Sequence, residues 1–288
     1  MKVSEKWLGW WLCFPALATM LFVTLYPIAY AVVLSLYRYD LRFADQSTFV
    51  GLDNYLAVLS SEIWWQALAN TVFITVGSVF FELVLGFAFA LVMHRIVFGR
   101  RLVRSTVLVP YAITTVVAAL AWKFAFDPTI GFANGLLGLD RAWLNERGSA
   151  FFVIIFSEIW KTTPFMALLL LAGLTLIPQD LMRAARVDGA SAWQRFLKIT
   201  LPLMKPTIMV ALLFRTLDAF RIFDTVYVQT RGAANTETVS VVGYNVLIAR
   251  LNLGLGSAVS VLIFVCVLII ALLFIEGFGA PLTRSRGD

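Results

Sequence analysis

Apolar residues fall along this chain in long uninterrupted blocks instead of in stripes recurring every three or four positions. Six blocks, at roughly 7–36, 67–93, 105–126, 151–176, 206–228 and 257–278, approach or exceed the ~20 residues with which a helix crosses about 30 Å of hydrocarbon. They predict an all-α integral membrane fold with six transmembrane helices in a single domain over 1–288. The first block is longer than one crossing needs, so it is expected to tilt, to bend at Pro27, or to lie partly in the interface.

One stretch breaks the pattern. Between the fourth and fifth blocks, from Met182 to Pro206, the chain reads MRAARVDGASAWQRFLKITLPLMKP. Pro178 and Asp180 suit the start of a short helix, and Gly189 suits the left-handed position that ends it. Ser191 and Gln194 form an S-x-x-Q capping box for a second helix, with Trp193, Phe196 and Leu197 as its apolar stripe and Pro202 as its expected stop. Small residues surround the bend, namely Ala184, Ala185 and Ala190, so another surface can approach its backbone closely. The bend can be a plug for a partner's groove or a solvated connector under lipid headgroups, and capping chemistry alone leaves both open.

Composition supports the membrane reading: 60% of the residues are hydrophobic and 14% charged, with 24 Phe and 9 Trp. A net charge of +6 would hint at nucleic acid in a soluble protein, but here the placement of the charges matters more than their sum. With the N-terminus inside, Lys2, Lys6, the Arg95–Arg104 cluster, Arg183, Arg186, Arg195, Lys198, Lys205, Arg284 and Arg286 all lie on the cytoplasmic side. The segments on the other side then hold only Arg38, Arg42, Arg141, Arg147, Arg231 and Arg250, together with most of the loop carboxylates. Both termini, and the 178–205 loop, are therefore expected to face the cytoplasm. The opening block lacks a small-residue cleavage site and reads as a retained span. Cys13 and Cys266 sit inside apolar blocks near opposite ends, which suits packing better than a disulfide or a metal site.

Ionisable residues inside the blocks call for an account, since each costs about 2.5–3.5 kcal/mol at the bilayer centre on insertion scales. Arg215, Asp218, Arg221 and Asp224 recur every three residues with alternating sign, as neighbours that pair along a helix do. They can neutralise one another structurally, or line a watery path with Phe223 and Tyr227 offering aromatic faces to a sugar. Glu158 and Lys161 stand beside Trp160 near Pro164, as a site or a hinge, and Glu82 has no local partner and is either protonated or paired across helices. His94 reads as an ordinary interfacial residue, and Gly77 and Gly86 as points of close helix packing. No H-E-x-x-H, C-x-x-C or G-x-S-x-G occurs, so no metal, nucleophile or other catalytic constellation is expected.

The residues RAARVDGASAWQRFLKITLP resemble the cytoplasmic EAA loop of the membrane subunits of bacterial ABC importers, matching at Ala184, Ala185, Asp188, Gly189, Ala190, Phe196 and Pro202. Arg183 departs from the pattern, which usually has Glu there. FVGLDNYLAVL, NTVFITVGSV and FRTLDAFRIFDTVYVQTRGAANTETVSVVGY are similar to the carbohydrate-uptake branch, the maltose and glycerol-3-phosphate type. That resemblance implies a type I ABC importer transmembrane domain in the bacterial plasma (inner) membrane, moving a sugar, a disaccharide such as trehalose. It also implies a second homologous permease, two ATPase subunits and an extracytoplasmic sugar-binding (lipo)protein as partners, besides membrane lipid and with no nucleic acid. The ATPase-coupling set carried over is Arg183, Ala184, Ala185, Asp188, Gly189, Ala190 and Phe196; the substrate path expected from the span residues is Asp218, Phe223, Asp224, Tyr227, Trp160 and Glu158. ATP and Mg would sit on the partner ATPase, with no cofactor in this chain, which has no G-x-x-x-x-G-K-[ST]. The alternative is an ion-gradient carrier using Glu82, Glu158, Asp218 and Asp224, which has no reason to possess the Ala184 to Pro202 pattern.

Overall fold

The computed structural model describes residues 5–96 and 99–279; Lys2, Arg284 and Arg286 of the expected charge asymmetry lie outside them. The chain divides into two compact units. One takes the chain up to Trp65 together with Val242–Cys266, and the other takes Gln66–Val241 and the stretch from Val267.

In the first unit, α1 (Glu5–Ser35) runs as one helix through Pro15 and Pro27. A two-residue hairpin follows, Tyr37–Arg38 against Thr48–Phe49, and then α2 (Asp53–Leu59). Asn54 Nδ2 donates to the carbonyls of Ser35 and Tyr37 at 2.8 and 2.9 Å, capturing backbone acceptors that the end of α1 leaves open. Asp40 caps a 3-10 turn (Leu41–Gln46), and its hydrogen bonds from Arg42 hold its carboxyl down at about 2.

The second unit is built on α3 (Glu62–Arg95), α4 (Arg100–Ala112), α5 (Thr115–Ala125), the short α6 (Ala133–Leu137) and α7 (Arg147–Thr175). It continues through α8 (Gln179–Val187), α9 (Ala192–Arg195), a π-helical Phe196–Thr200, α10 (Leu201–Leu203), α11 (Lys205–Phe220) and α12 (Asp224–Gln229). The chain finishes with α13 (Val239–Tyr244), a π-helical Asn245–Ala249, and α14 (Leu253–Gly279).

Among the described residues, four helices are long and apolar enough to cross a membrane: Trp10–Ser35, Glu62–Arg95, Arg147–Thr175 and Leu253–Gly277. Two further candidates are bent pairs, so the six expected spans are reached only if each pair counts as one. The third block is not a straight helix, because α4 and α5 meet at 85°. Pro110 removes a backbone donor in the last turn of α4, and the β-branched run Ile113 to Val117 begins with Ile113 and Thr114 both extended. The fifth block is also broken. α11 stops at Phe220, Phe223 leaves helical geometry at φ −132°, ψ −62°, and α12 starts anew. The second helix of the 178–205 loop runs unbroken over Ala192–Leu203, so it ends one residue past Pro202, and the bend of 67° follows.

α7 packs against α4, α5, α11 and α12, and its buried face supplies Met166, Ala167, Leu170, Leu171 and Leu174 to a core shared with Phe87, Ala90 and Met93 of α3. Its other end packs Phe151 and Ile154 with Ile74, Ile222 and Val226. Two glycines permit close approaches between these helices. A Cβ on Gly86 would lie 2.7 Å from Met166, and one on Gly173 would lie 2.7 Å from Thr207.

Candidate functional site

The break between α11 and α12 positions the polar centre of the second unit. Arg221 and Ile222 close the end of α11 with backbone bonds to Asp218 and Ala219 at 3.1 Å. The Ile222 carbonyl, which the break frees, accepts from Thr238 Oγ1 at 3.2 Å, and the Val228 carbonyl, at the far end of α12, accepts from Lys123 Nζ at 3.0 Å.

Arg215, one of the largest fully buried side chains, reaches across to α3 and donates from Nε and Nη2 to the two oxygens of Glu82 at 2.6 and 2.8 Å. Glu82 thus has its partner 133 residues away. Its Oε1 also lies 2.7 Å from Thr162 Oγ1, whose hydroxyl is 2.6 Å from the carbonyl of Glu158 and has one proton to share between them. Arg215 Nη1 donates to Asp218, and Thr225 Oγ1 to the buried carboxylate of Glu158. Only the first rung of the expected ladder, Arg215 to Asp218, forms as an i,i+3 salt bridge; the end of α11 at Phe220 takes Arg221 and Asp224 off that helix.

Beside this junction lies a cavity of about 420 Å³ lined by Tyr111, Thr115, Glu158, Lys161, Thr162, Asp218, Arg221, Ile222, Phe223, Asp224 and Thr225. Three carboxylates, two cations and three hydroxyl-bearing threonines therefore face one space together with aromatic rings, and the volume lies within the ~300–1,000 Å³ usual for ligand pockets. Such a lining offers interleaved donors and acceptors to a polyol. Lys161 Nζ stands 5.5 Å over the Tyr111 ring. A second cleft, about 510 Å³ among Trp7, Trp10, Trp11 and Phe14 of α1, presents little besides aromatic surface.

Of the expected path residues, Glu158, Asp218, Phe223 and Asp224 line the polar cavity, and Trp160 and Tyr227 do not. Trp160 packs edge-on to Trp122 at 5.5 Å, and Tyr227 stacks on Phe223 at 5.1 Å with Arg231 over its ring. Thr162, Thr225, Thr115 and Tyr111 were not expected. Thr162 was within reach of sequence reasoning, since it stands four residues after Glu158 on the same helical face.

The 178–205 loop has its own local logic. α8 ends at Val187 with Asp188 as its cap and Gly189 at φ +78°, and the amides of Gly189 and Ala190 donate to the carbonyls of Arg186 and Ala185 at 3.1 and 2.9 Å, a Schellman closure. Ser191 and Gln194 form the full capping box, at 3.2 Å to the Ser191 hydroxyl and 2.8 Å to the Gln194 side chain. Arg195 donates to the Ala190 carbonyl. Ala184, Asp188 and Gly189 are exposed, Ala185 is buried, and nothing lies within 4 Å of where a Gly189 Cβ would be. Phe196 anchors the bend by packing edge-on to Phe87 at 5.6 Å. Among the described residues, Arg183 pairs with Asp180, one turn back, at 3.3 Å.

The family model for the "binding-protein-dependent transport system inner membrane component" matches residues 82–284, which include this cavity and this bend. The chain belongs to that family. As a member, it is an integral inner-membrane component. It is 53% identical over 279 residues to the trehalose transport system permease protein SugA of Mycobacterium tuberculosis, covering 97% of this chain and 91% of that one. It is 41% identical over 282 residues to the trehalose/maltose transport system permease protein MalF of Thermococcus litoralis, covering 96% and 95%. In fold it is similar to a subunit of a bacterial ABC transporter that imports alginate, at a TM-score of 0.82 and 23% identity over 97% of both chains. The methionine ABC transporter MetNI gives 0.58 and 19% identity over 74% of this chain and 94% of that one.

Proposed function

We propose that this chain is the membrane-spanning, non-catalytic permease subunit of an ATP-driven importer of a trehalose-type disaccharide. The observation that carries the reading is the 53% identity to a trehalose permease over 97% of the chain. The chain forms half of the translocation path and pairs with a second, homologous permease. Two ATPase subunits, which hold the ATP and Mg, bind on the cytoplasmic side, and an extracytoplasmic binding protein delivers the sugar.

In this reading the polar cavity is where the sugar is held. Glu158, Asp218 and Asp224 accept from hydroxyls, Lys161 and Arg221 donate, and Phe223 and Tyr111 offer ring faces. Arg215 holds the cavity wall through Glu82 and Asp218 and is a positioning residue. The bend Asp188-Gly189-Ala190 is the contact with the ATPase. It is stiffened by the Schellman closure and capping box, and Phe196 ties it to α3. Arg183 replaces the acid usual at that corner, so docking there relies on the backbone shape of the bend and on a cation.

The test is reconstitution of the assembled complex in proteoliposomes with labelled trehalose outside. Uptake is expected to require ATP and the binding protein, and alanine at Asp218 or Asp224 is expected to reduce it in complexes that assemble normally. Uptake driven by an ion gradient without ATP would overturn the reading in favour of a carrier using the membrane carboxylates.

A further inference from the structure

The connection between α5 and α7 is built inside out. A loop that faces water turns polar side chains outward, and a single exposed apolar residue on it means little. Here Ile130, Phe132, Leu136, Leu137 and Leu139 are 48–80% exposed within ten residues of one another, while polar groups of the same loop are satisfied inside it. Asn134 of α6 accepts from Trp143 Nε1 at 2.6 Å and donates to the Arg141 carbonyl at 3.1 Å. Asp127 accepts from the amides of Thr129 and Ile130 at 2.8 and 3.1 Å, and Arg141 pairs with Glu146. Trp143 is buried against Phe126 and Phe152. The loop is therefore held in one shape from within, and it presents its apolar side chains as a group, which marks a surface for a partner or a membrane.

What covers the group follows from where it is attached. Val116, Val117, Leu120 and Phe124 form an exposed apolar stripe along α5, which is half of a candidate membrane span, and the stripe is turned away from Thr115, the residue of α5 that lines the polar cavity. Gly131 joins stripe and loop. A Cβ there would collide with the carbonyl oxygens of Phe124, Ala125 and Asp127, the farthest 2.7 Å away, so Ile130 and Phe132 on either side of it sit against the last turn of α5. The membrane-facing stripe therefore runs on into the loop without a polar gap. The other side of the loop is polar: Asp127 and Asn145, with Lys123, line a cleft of about 270 Å³. An element at the end of a span, apolar on one side and polar on the other, suits the interface, where such a side sinks roughly 5–10 Å into the boundary between headgroups and acyl chains.

We propose that the 127–146 loop is an interfacial anchor: Ile130, Phe132 and Leu136, with their apolar neighbours, lie in phospholipid of the leaflet opposite the 178–205 bend, and the side carrying Asp127 and Asn145 stays wet. α12 packs on α5, so the anchor fixes the depth of the helix on which the start of the sugar cavity rests. The proposal uses the membrane placement of the family and is independent of which solute is carried.

The test is nitroxide accessibility in the assembled complex, reconstituted in vesicles of phosphatidylcholine and phosphatidylglycerol, with Cys13→Ala and Cys266→Ala so that only an introduced thiol is labelled. Labels on Leu136→Cys and, separately, on Phe132→Cys are expected to be relaxed more by lipid-soluble oxygen than by a water-soluble nickel chelate. A label on Asn145→Cys, on the polar side of the same loop, is expected to show the reverse. Adding Leu137→Asp and Leu139→Asp is expected to shift the Leu136→Cys label toward the nickel chelate, as the loop loses its hold on the bilayer. Nickel-favoured relaxation of the two apolar-side labels places the loop in water and overturns the anchor. Protection of both labels from both reagents overturns it equally, in favour of a protein surface that covers the patch.

Discussion

Two arginine–aspartate pairs at the same helical spacing show how location sets what a charge does in this protein. Arg183 and Asp180, in α8, are 70% and 94% exposed, stand 3.3 Å apart and have water as a ready alternative. Arg215 and Asp218, in α11, share the i,i+3 geometry, but the Arg215 side chain is 2% exposed and is also gripped by Glu82, which is fully buried. An exposed pair contributes roughly 0–1 kcal/mol, while breaking a buried one costs about 3–5 kcal/mol because a charge is stranded. The first pair decorates a bend whose shape is set by backbone caps. In the second, Asp218 stays 76% exposed on the same helix, and it is the grip of Glu82 on Arg215 that is buried and joins two helices that sequence separates widely.

Replacing Arg215 should therefore give the largest effect. Arg215→Met strands Glu82 and is expected to cost about 3–5 kcal/mol, read as a fall in thermal stability of the detergent-purified complex. The double variant Glu82→Leu with Arg215→Met should recover most of that loss, and failure to recover would show that Arg215 serves more than Glu82.

The same glycine substitution in the two regions sharpens the contrast. Gly86→Val drives a branched side chain into Met166, whose Cγ would lie 2.7 Å from the new Cβ, and should cost about 1–3 kcal/mol in the same melt. Gly189→Val meets no neighbour within 4 Å and is strained only by its left-handed backbone, for about 1–2 kcal/mol. Its main effect is expected in function, as ATP hydrolysis that no longer drives uptake; unchanged uptake would remove the bend from the coupling role.

Smaller again, Ser191→Ala removes one half of the capping box and should cost about 1 kcal/mol, visible as faster amide exchange in Ala192–Arg195. Asp180→Ala should change stability by at most a few tenths of a kcal/mol. A larger loss would make Arg183 more than a surface cation.

How far each region was legible follows from the same contrast. The bend could be read almost residue by residue, because Gly189, Ser191 and Gln194 act on backbone groups within a few positions of themselves. The proline signal was legible to within a residue, since the second helix ends at Leu203, one past Pro202, where the chain bends by 67°. The polar centre was legible in kind and not in connection. Alternating signs every three residues suggested a ladder along one helix, whereas Arg215 turns to Glu82, 133 positions away, and the helix ends before Asp224. Hydropathy located the blocks but said nothing of bends within them. The 85° turn at Ile113 and Thr114 and the break at Phe223 depend on local backbone choices that an apolar run conceals.

The two glycine contacts along α7 have a mechanical meaning. Met166 of α7 lies against Gly86 of α3 near the middle of the helix, and Gly173 of α7 lies against Thr207 of α11 two turns further on, just before the chain enters α8. Neither contact leaves room for a methyl group, so these helices mesh without backlash. A push delivered to the end of α7 is shared at once with the helix that carries Glu82 and the helix that carries Arg215, and the drive train has no slack in which the stroke could be lost.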